Sequence, residues 1–241
     1  MTTSTPSGDP GTNRAAPLAR VGAVALIAGP VLFLVCEAIS AWAWRDPTYS
    51  YTRNWISDLG VPDPGTFQGR VINSPLAWVM NTGFVLGGLA LVLGVVAVTP
   101  RVGRRGTRTA ARVLGMAAGL GYVLVGLTHT STAAAADGTI VLHFVGAFLA
   151  ILGGNTLALV LGVHWWRRPG TRSLGHAAAL LGALGLLAAA TLTLTATSTS
   201  APNGFVERVA VYTLLLFEIL TGLHLLTRRV DEDRVRRRRS A

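Results

Sequence analysis

Residues 76–98 read LAWVMNTGFVLGGLALVLGVVAV, a run without a single charged side chain. A helix rises 1.5 Å per residue, so this stretch reaches about 35 Å, enough to cross roughly 30 Å of hydrocarbon. In lipid no water pairs the backbone N–H and C=O groups, so the segment must pair them internally as a helix. Apolar and polar residues do not alternate in it, which excludes a strand of a membrane β-barrel.

Working outward, five more stretches have the same character: Val21–Ala43, Ala110–Thr130, Thr139–Trp166, Gly175–Thr197 and Val206–Leu226. With 51% hydrophobic and only 13% charged residues, and a mean hydropathy of +0.50, the chain is too apolar for a soluble domain. The expected fold is all-α, an integral membrane bundle of six transmembrane helices over residues 20–227, with helices at about 21–43, 76–98, 110–130, 139–166, 175–197 and 206–226. Residues 1–19, rich in Ser, Thr, Gly, Pro and Ala, read as a disordered cytoplasmic tail, and residues 228–241 as a basic cytoplasmic one. Ala41-Trp42-Ala43 has the small residues of a cleavage site, but the run before it is longer than a signal-peptide core. The first span therefore reads as an uncleaved helix.

Orientation follows from arginine. All 21 basic side chains are Arg, a pattern most simply due to a GC-rich coding bias. Seventeen of the 21 fall in the even connections and the two tails: Arg14, Arg20, Arg101, Arg104, Arg105, Arg108, Arg112, Arg167, Arg168, Arg172, Arg228, Arg229, Arg234 and Arg236 to Arg239. Arg45, Arg53, Arg70 and Arg208 lie on the other side. The positive-inside rule makes the arginine-rich side cytoplasmic, so both termini face inward in a multi-pass plasma-membrane protein. The formal charge of +10 is thereby assigned to topology and to anionic lipid, and nucleic acid is not an expected partner. Membrane lipids are. Gly83 with Gly87 and Gly115 with Gly119 form small-xxx-small pairs, which serve packing inside the bundle or a homo-oligomer contact. Trp42, Trp44, Trp165 and Trp166 stand at helix ends, where indoles anchor at headgroup depth.

The polar residues then sort by side. The longest gap holds Arg53-Asn54-Trp55-Ile56-Ser57-Asp58-Leu59-Gly60, facing outward. Ser57 and Asp58 could cap a short helix or close a turn; alternatively Asp58 is presented to a lipid headgroup or to a histidine. His129 and His143 flank a short connection between antiparallel neighbours, so they share a depth. Glu207 and Arg208 open the last helix, where Arg208 suits a phosphate or carboxylate and otherwise snorkels. Glu37 and Glu218 lie inside spans, where a charge is costly and marks function by default; a protonated carboxyl bonded to a neighbouring helix is the plainer reading. Asn81 and Asn155 read as interhelical hydrogen-bonding residues.

Asn54-x-Ile56-Ser57-Asp58-Leu59-Gly60, following a first helix with Gly29-Pro30, resembles the family catalogued as domain of unknown function 998. His143 with Gly146, and Gly204-x-x-Glu207-Arg208 before the last span, fit the same likeness, which covers residues 20–227. The family comprises bacterial and archaeal multi-pass membrane proteins. The resemblance implies the fold and carries no activity with it. The proline-rich stretch after Gly60 departs from the pattern.

Three functions are consistent with these residues. One is an outward-facing polar pocket binding lipid or a small molecule through Arg53, Asn54, Ser57, Asp58, His143, Glu207 and Arg208. Another is an intramembrane enzyme on a lipid or isoprenoid, with Asp58, His129, His143, Glu37 or Glu218 in acid–base roles. The third is a proton-coupled transporter using Glu37 and Glu218, for which Gly29-Pro30 breaks only the first helix. No Walker loop, dinucleotide fingerprint or nucleophile elbow occurs, so no cofactor is expected. The two outer histidines and Asp58 lack metal-site spacing, and no metal is expected.

Overall fold

The computed structural model describes residues 10–198 and 200–240, with side chains described over residues 17–227 apart from residue 199. Among the described residues, six helices are long and apolar enough to cross a membrane: Pro17–Ala43, Ala77–Arg101, Arg105–Leu127, Ile140–Trp166, Arg172–Thr195 and Asn203–Thr227. They are the membrane portions of α1 (Pro10–Ala43), α2 (Ala77–Val98), α3 (Arg105–Leu127), the pair α5 (Ile140–Phe148) and α6 (Gly154–Trp166), α7 (Arg172–Thr195) and α8 (Asn203–Ser240). A short helix, α4 (Thr132–Asp137), links α3 to α5, where the sequence suggested plain loop.

The spans close into a ring. Each packs on its neighbour in sequence, and α8 returns to α1. Large apolar side chains cover the outside, as a lipid-facing surface requires: Leu194 is 85% exposed, and Leu127, Leu180 and Trp78 are similarly bare. Gly83 lies against Cys36 of α1, while Gly115 and Gly119 lie against Val95 and Val92 of α2. Both small-residue faces are therefore filled from within the chain.

Several boundaries differ from the sequence reading. α1 begins at Pro10, inside the stretch read as a disordered tail; residues 1–9 lie outside the described residues. It also runs unbroken through Pro17 and Pro30. Membrane helices tolerate proline where neighbours re-satisfy the freed backbone, and Gly29 brings α1 close to Ala90 of α2. α8 continues past residue 227 into the basic tail. α3 starts earlier and ends at Leu127, so His129 sits in the connection after it. Trp44 is not an interfacial anchor: it is buried and packs on Tyr49 with ring centroids 5.2 Å apart. Trp165 stacks on Phe217, and Trp42 and Trp166 are exposed.

One departure positions the site. Between α5 and α6, residues Leu149–Gly153 form a π-helical turn, a feature that often marks functional positions. α3 runs beside α5, the π-turn and α6, and α6 also packs along α7. The other departure is β-structure in the long connection. β1 (Gly65–Phe67) and β2 (Arg70–Ile72) pair antiparallel, with Thr66 opposite Val71. Gln68 (φ 49°) and Gly69 (φ 76°) form the two-residue turn, both left-handed as a tight hairpin demands.

Candidate functional site

The hairpin end of the bundle carries two arrangements, one closed and one open. The closed one centres on Arg208, in the second turn of α8. Burying a guanidinium is costly unless its charge and its five N–H donors are all matched. Here they are. Nε donates to Glu37 Oε1 at 3.0 Å, and Nη2 lies 2.9 Å from the same oxygen. Nη1 donates to the carbonyls of Tyr51 (2.7 Å), Asn54 (3.0 Å) and Gly204 (2.9 Å). Nη2 also donates to the Tyr49 hydroxyl. Glu37 keeps its second oxygen for the Tyr212 hydroxyl, at 2.8 Å. The guanidinium lies over the Tyr51 ring at 4.6 Å, a cation–π contact.

The consequence is mechanical. Arg208 ties α8 to α1 through Glu37 and ties the loop 49–54 down on both. Glu207 adds a fastening by accepting from the Ile56 N–H, and Phe205 N–H donates to Thr52 O at 3.1 Å. Gly204 makes the close approach feasible, since a Cβ there would stand 2.2 Å from Asn54 O. Burial pushes the Tyr49 hydroxyl well above the usual tyrosine range, with the nearby Arg208 pulling the other way. Tyr49 therefore stays a neutral donor, to Trp55 O at 2.9 Å.

Asp58 is equally committed. It lies in a 3-10 turn, Ser57–Gly60, and is fully buried. Its Oδ2 accepts from the Trp55 N–H at 3.0 Å. Arg70 of β2 holds both oxygens, Nε to Oδ2 and Nη2 to Oδ1, each at 3.1 Å. That is a bidentate pair, and it latches the hairpin to the turn. Asp58 closes the turn onto Trp55 and pairs with Arg70, so both its oxygens are engaged.

The open arrangement lies beneath this clasp. A cavity of about 170 Å³ is roofed by Trp55, Ile56 and Phe67 and walled by Phe84, Tyr122, Val125, Phe144, Ala147, Ile151, Leu192 and Val211. It lies between α2, α3, α5, the π-helical turn, α7 and α8. Its walls are apolar except for Ser57, Gln68, Arg70, Tyr122, Thr130, His143, Thr197 and Glu207. Nδ1 of His143 stands 3.0 Å from Thr128 O. A carbonyl only accepts, so Nδ1 donates, and in the neutral ring Nε2 is left as an acceptor. The Thr130 hydroxyl is buried with no partner among the described residues. Glu207 uses one oxygen on Ile56 and lines the same space.

These residues fall inside a recognised family. The sequence matches the family described as Protein of unknown function (DUF998) over residues 27–224. The chain belongs to that family. No curated protein and no solved structure matches it. The motif residues of this DUF998 protein thus occupy two places: Asn54, Asp58, Gly204 and Arg208 build the clasp, while Ser57, His143 and Glu207 reach the cavity.

Among the other residues singled out from sequence, Arg53 is exposed and Asn54 accepts from Ser50 N–H at 2.9 Å. Glu37 is bound into the clasp. Glu218 is buried in α8 and does not line the cavity. His129 does not line the cavity, and its Nδ1 is buried without a hydrogen-bond partner among the described residues. Asn155 bonds across the ring, Nδ2 to Ala210 O at 2.8 Å, and Asn81 bonds Gly60 O at 2.9 Å. Tyr122, Thr130 and Tyr212 were not singled out. Tyr212 could have been, because it stands one helical turn beyond Arg208.

Proposed function

We propose that this DUF998 protein binds a small amphiphile, a lipid or another small molecule, at the outer face of the plasma membrane. The observation that carries this reading is the mostly apolar 170 Å³ cavity with His143 and Glu207 at its wall. A cavity near 150 Å³ admits a benzene-sized group, whereas whole drug-sized ligands need at least about 300 Å³. The cavity therefore suits one end of a ligand, an acyl or isoprenoid terminus or a small ring. His143 Nε2 would accept a hydrogen bond from the polar part, and Glu207 would bind it as donor or acceptor according to its protonation. Both termini inside and the hairpin end outside is the orientation that arginine placement supports.

A second reading, acid–base chemistry on such a ligand, is favoured by the fixed orientation of His143. Its Nδ1 bond to Thr128 aims the ring, the arrangement a general base uses. Less in favour of a proton-coupled carrier is that Glu37 is bound to Arg208 and Tyr212.

The test is the mass spectrum of small molecules and lipids retained by the purified protein. Wild type should carry one apolar or amphiphilic species in near-stoichiometric amount, and His143→Ala should lose most of it while folding normally. A wild-type protein carrying only bulk lipid in bulk proportions would refute the proposal.

A further inference from the structure

Beside the hairpin-end cavity lies a second space of about 340 Å³, bounded by the loop at 47–55, the hairpin turn and the connection from α7 to α8. Trp55, Gln68, Arg70, Ala196 and Thr197 line both spaces, so no more than one layer of side chains separates them. Their characters differ. The cavity is mostly apolar, whereas the second space is bordered by Ser50, Arg53, Asn54, Gln68, Thr197 and Ser198, and no carboxylate lines it among the described residues. Arg53 gives it an uncompensated charge. The residue is exposed, its backbone N–H donates to Ser50 O at 3.1 Å, and its guanidinium is in no ion pair among the described residues. Arg70, on the shared wall, is already balanced by Asp58 and adds no net charge. Asn54 uses Oδ1 on the Ser50 N–H, which leaves its Nδ2 as a donor.

We propose that this second space holds the anionic head, a phosphate or a carboxylate, of the amphiphile whose apolar end occupies the cavity. This rests on the cavity binding an apolar end, as proposed above, and adds the chemical class of the ligand. Size leads to it, since 170 Å³ takes one end of a ligand and the remainder needs a place within a side chain's reach. Chemistry decides which part goes there. A fully ionised anion only accepts hydrogen bonds, and the Arg53 fork with the Asn54 amide, Gln68 and Thr197 supplies donors around the space. No carboxylate on its border repels a negative head. His143 and Glu207 keep their role toward a hydroxyl lying between head and chain.

The experiment uses the full-length protein in neutral detergent, with dodecyl phosphate, dodecanoate and dodecanol as probes of one chain length and native mass spectrometry to follow their binding. Wild type should bind at least one of the two anions about fivefold more tightly than dodecanol. Preference for the phosphate alone identifies a phosphate head, for the carboxylate alone a fatty-acid head, and for both a general anion site. Arg53→Gln, whose side chain takes no part in the clasp, should bring the preferred anion down to the level of dodecanol and leave dodecanol unchanged. Arg45→Gln, which removes the same charge from a residue lining neither space, should change none of the three. Ala147→Phe, which fills the cavity, should abolish all three. The anionic head is overturned, with the cavity reading intact, if wild type binds the three probes equally or Arg53→Gln keeps the preference. Equal loss in Arg45→Gln, or an anion that still binds Ala147→Phe as it binds wild type, overturns it as well. If wild type binds no probe at all, the cavity reading falls and this proposal falls with it.

Discussion

Arg208 is the residue on which the hairpin end turns. Its charge is matched by Glu37 and its donors by three backbone carbonyls and a tyrosine. Arg208→Gln would leave the Glu37 carboxyl buried without its cation, a loss of about 3–5 kcal/mol for a broken buried pair, read as a lower unfolding temperature in detergent. A variant that kept wild-type stability would show that the clasp contributes nothing. Tyr49 gives a pH dependence. Its hydroxyl titrates above the ordinary tyrosine range in the folded protein, so its contribution is complete below about pH 10, where the unfolded chain begins to ionise, and is lost as pH rises further. Tyrosinate absorbance of folded wild type and Tyr49→Phe should therefore coincide up to the pH of unfolding. An extra wild-type step near pH 10 would contradict the buried hydroxyl. At this scale the sequence was half legible. That Glu37 was costly inside a span was readable, and Arg208 read as the outer opening of the last helix; that they meet was not legible, because 171 residues separate them. Depth was the missed signal, as each lies about 8–9 Å from its helix end at 1.5 Å per residue.

At the scale of elements, the long connection is where sequence and structure part most. Its position between α1 and α2 was plain, but its shape depends on one glycine, one hairpin and one ion pair that no periodicity reveals. Gly204 read only as a motif residue; its role appears when Asn54 O is seen lying where a side chain would be. Gly204→Ala must lift the loop or shift α8, at about 1–3 kcal/mol, and amide exchange should rise across residues 50–60. Unchanged exchange would mean the loop is held elsewhere. The Asp58–Arg70 latch makes a second prediction. Asp58→Asn can keep the Trp55 N–H bond but loses the charge-assisted pair, about 1.5–3 kcal/mol. Its effect should be confined to the hairpin, with protection of residues 65–72 falling while the spans stay protected. The π-turn between α5 and α6 was invisible in sequence for a different reason: its residues, Leu149–Gly153, are as apolar as the helix around them.

For the whole molecule, hydropathy was sufficient: six spans were expected, and among the described residues six helices are long and apolar enough to cross a membrane, because crossing lipid leaves the backbone few alternatives. Orientation rests on arginine placement, and a reporter fused after Arg239 should read cytoplasmic; a signal from the outer side would invert the assignment. The division of the hairpin end into a closed clasp and an open cavity is a property of the assembled ring, since the cavity takes walls from α2, α3, α5, α7 and α8. Its most direct test fills that space from within. Ala147 lines the wall, so Ala147→Phe should occupy much of the 170 Å³ while leaving Arg208 and Asp58 untouched. Native mass spectrometry of this variant, at an unfolding temperature close to wild type, should show the retained amphiphile gone. If the filled variant still carries it in wild-type amount, the ligand does not bind in this cavity.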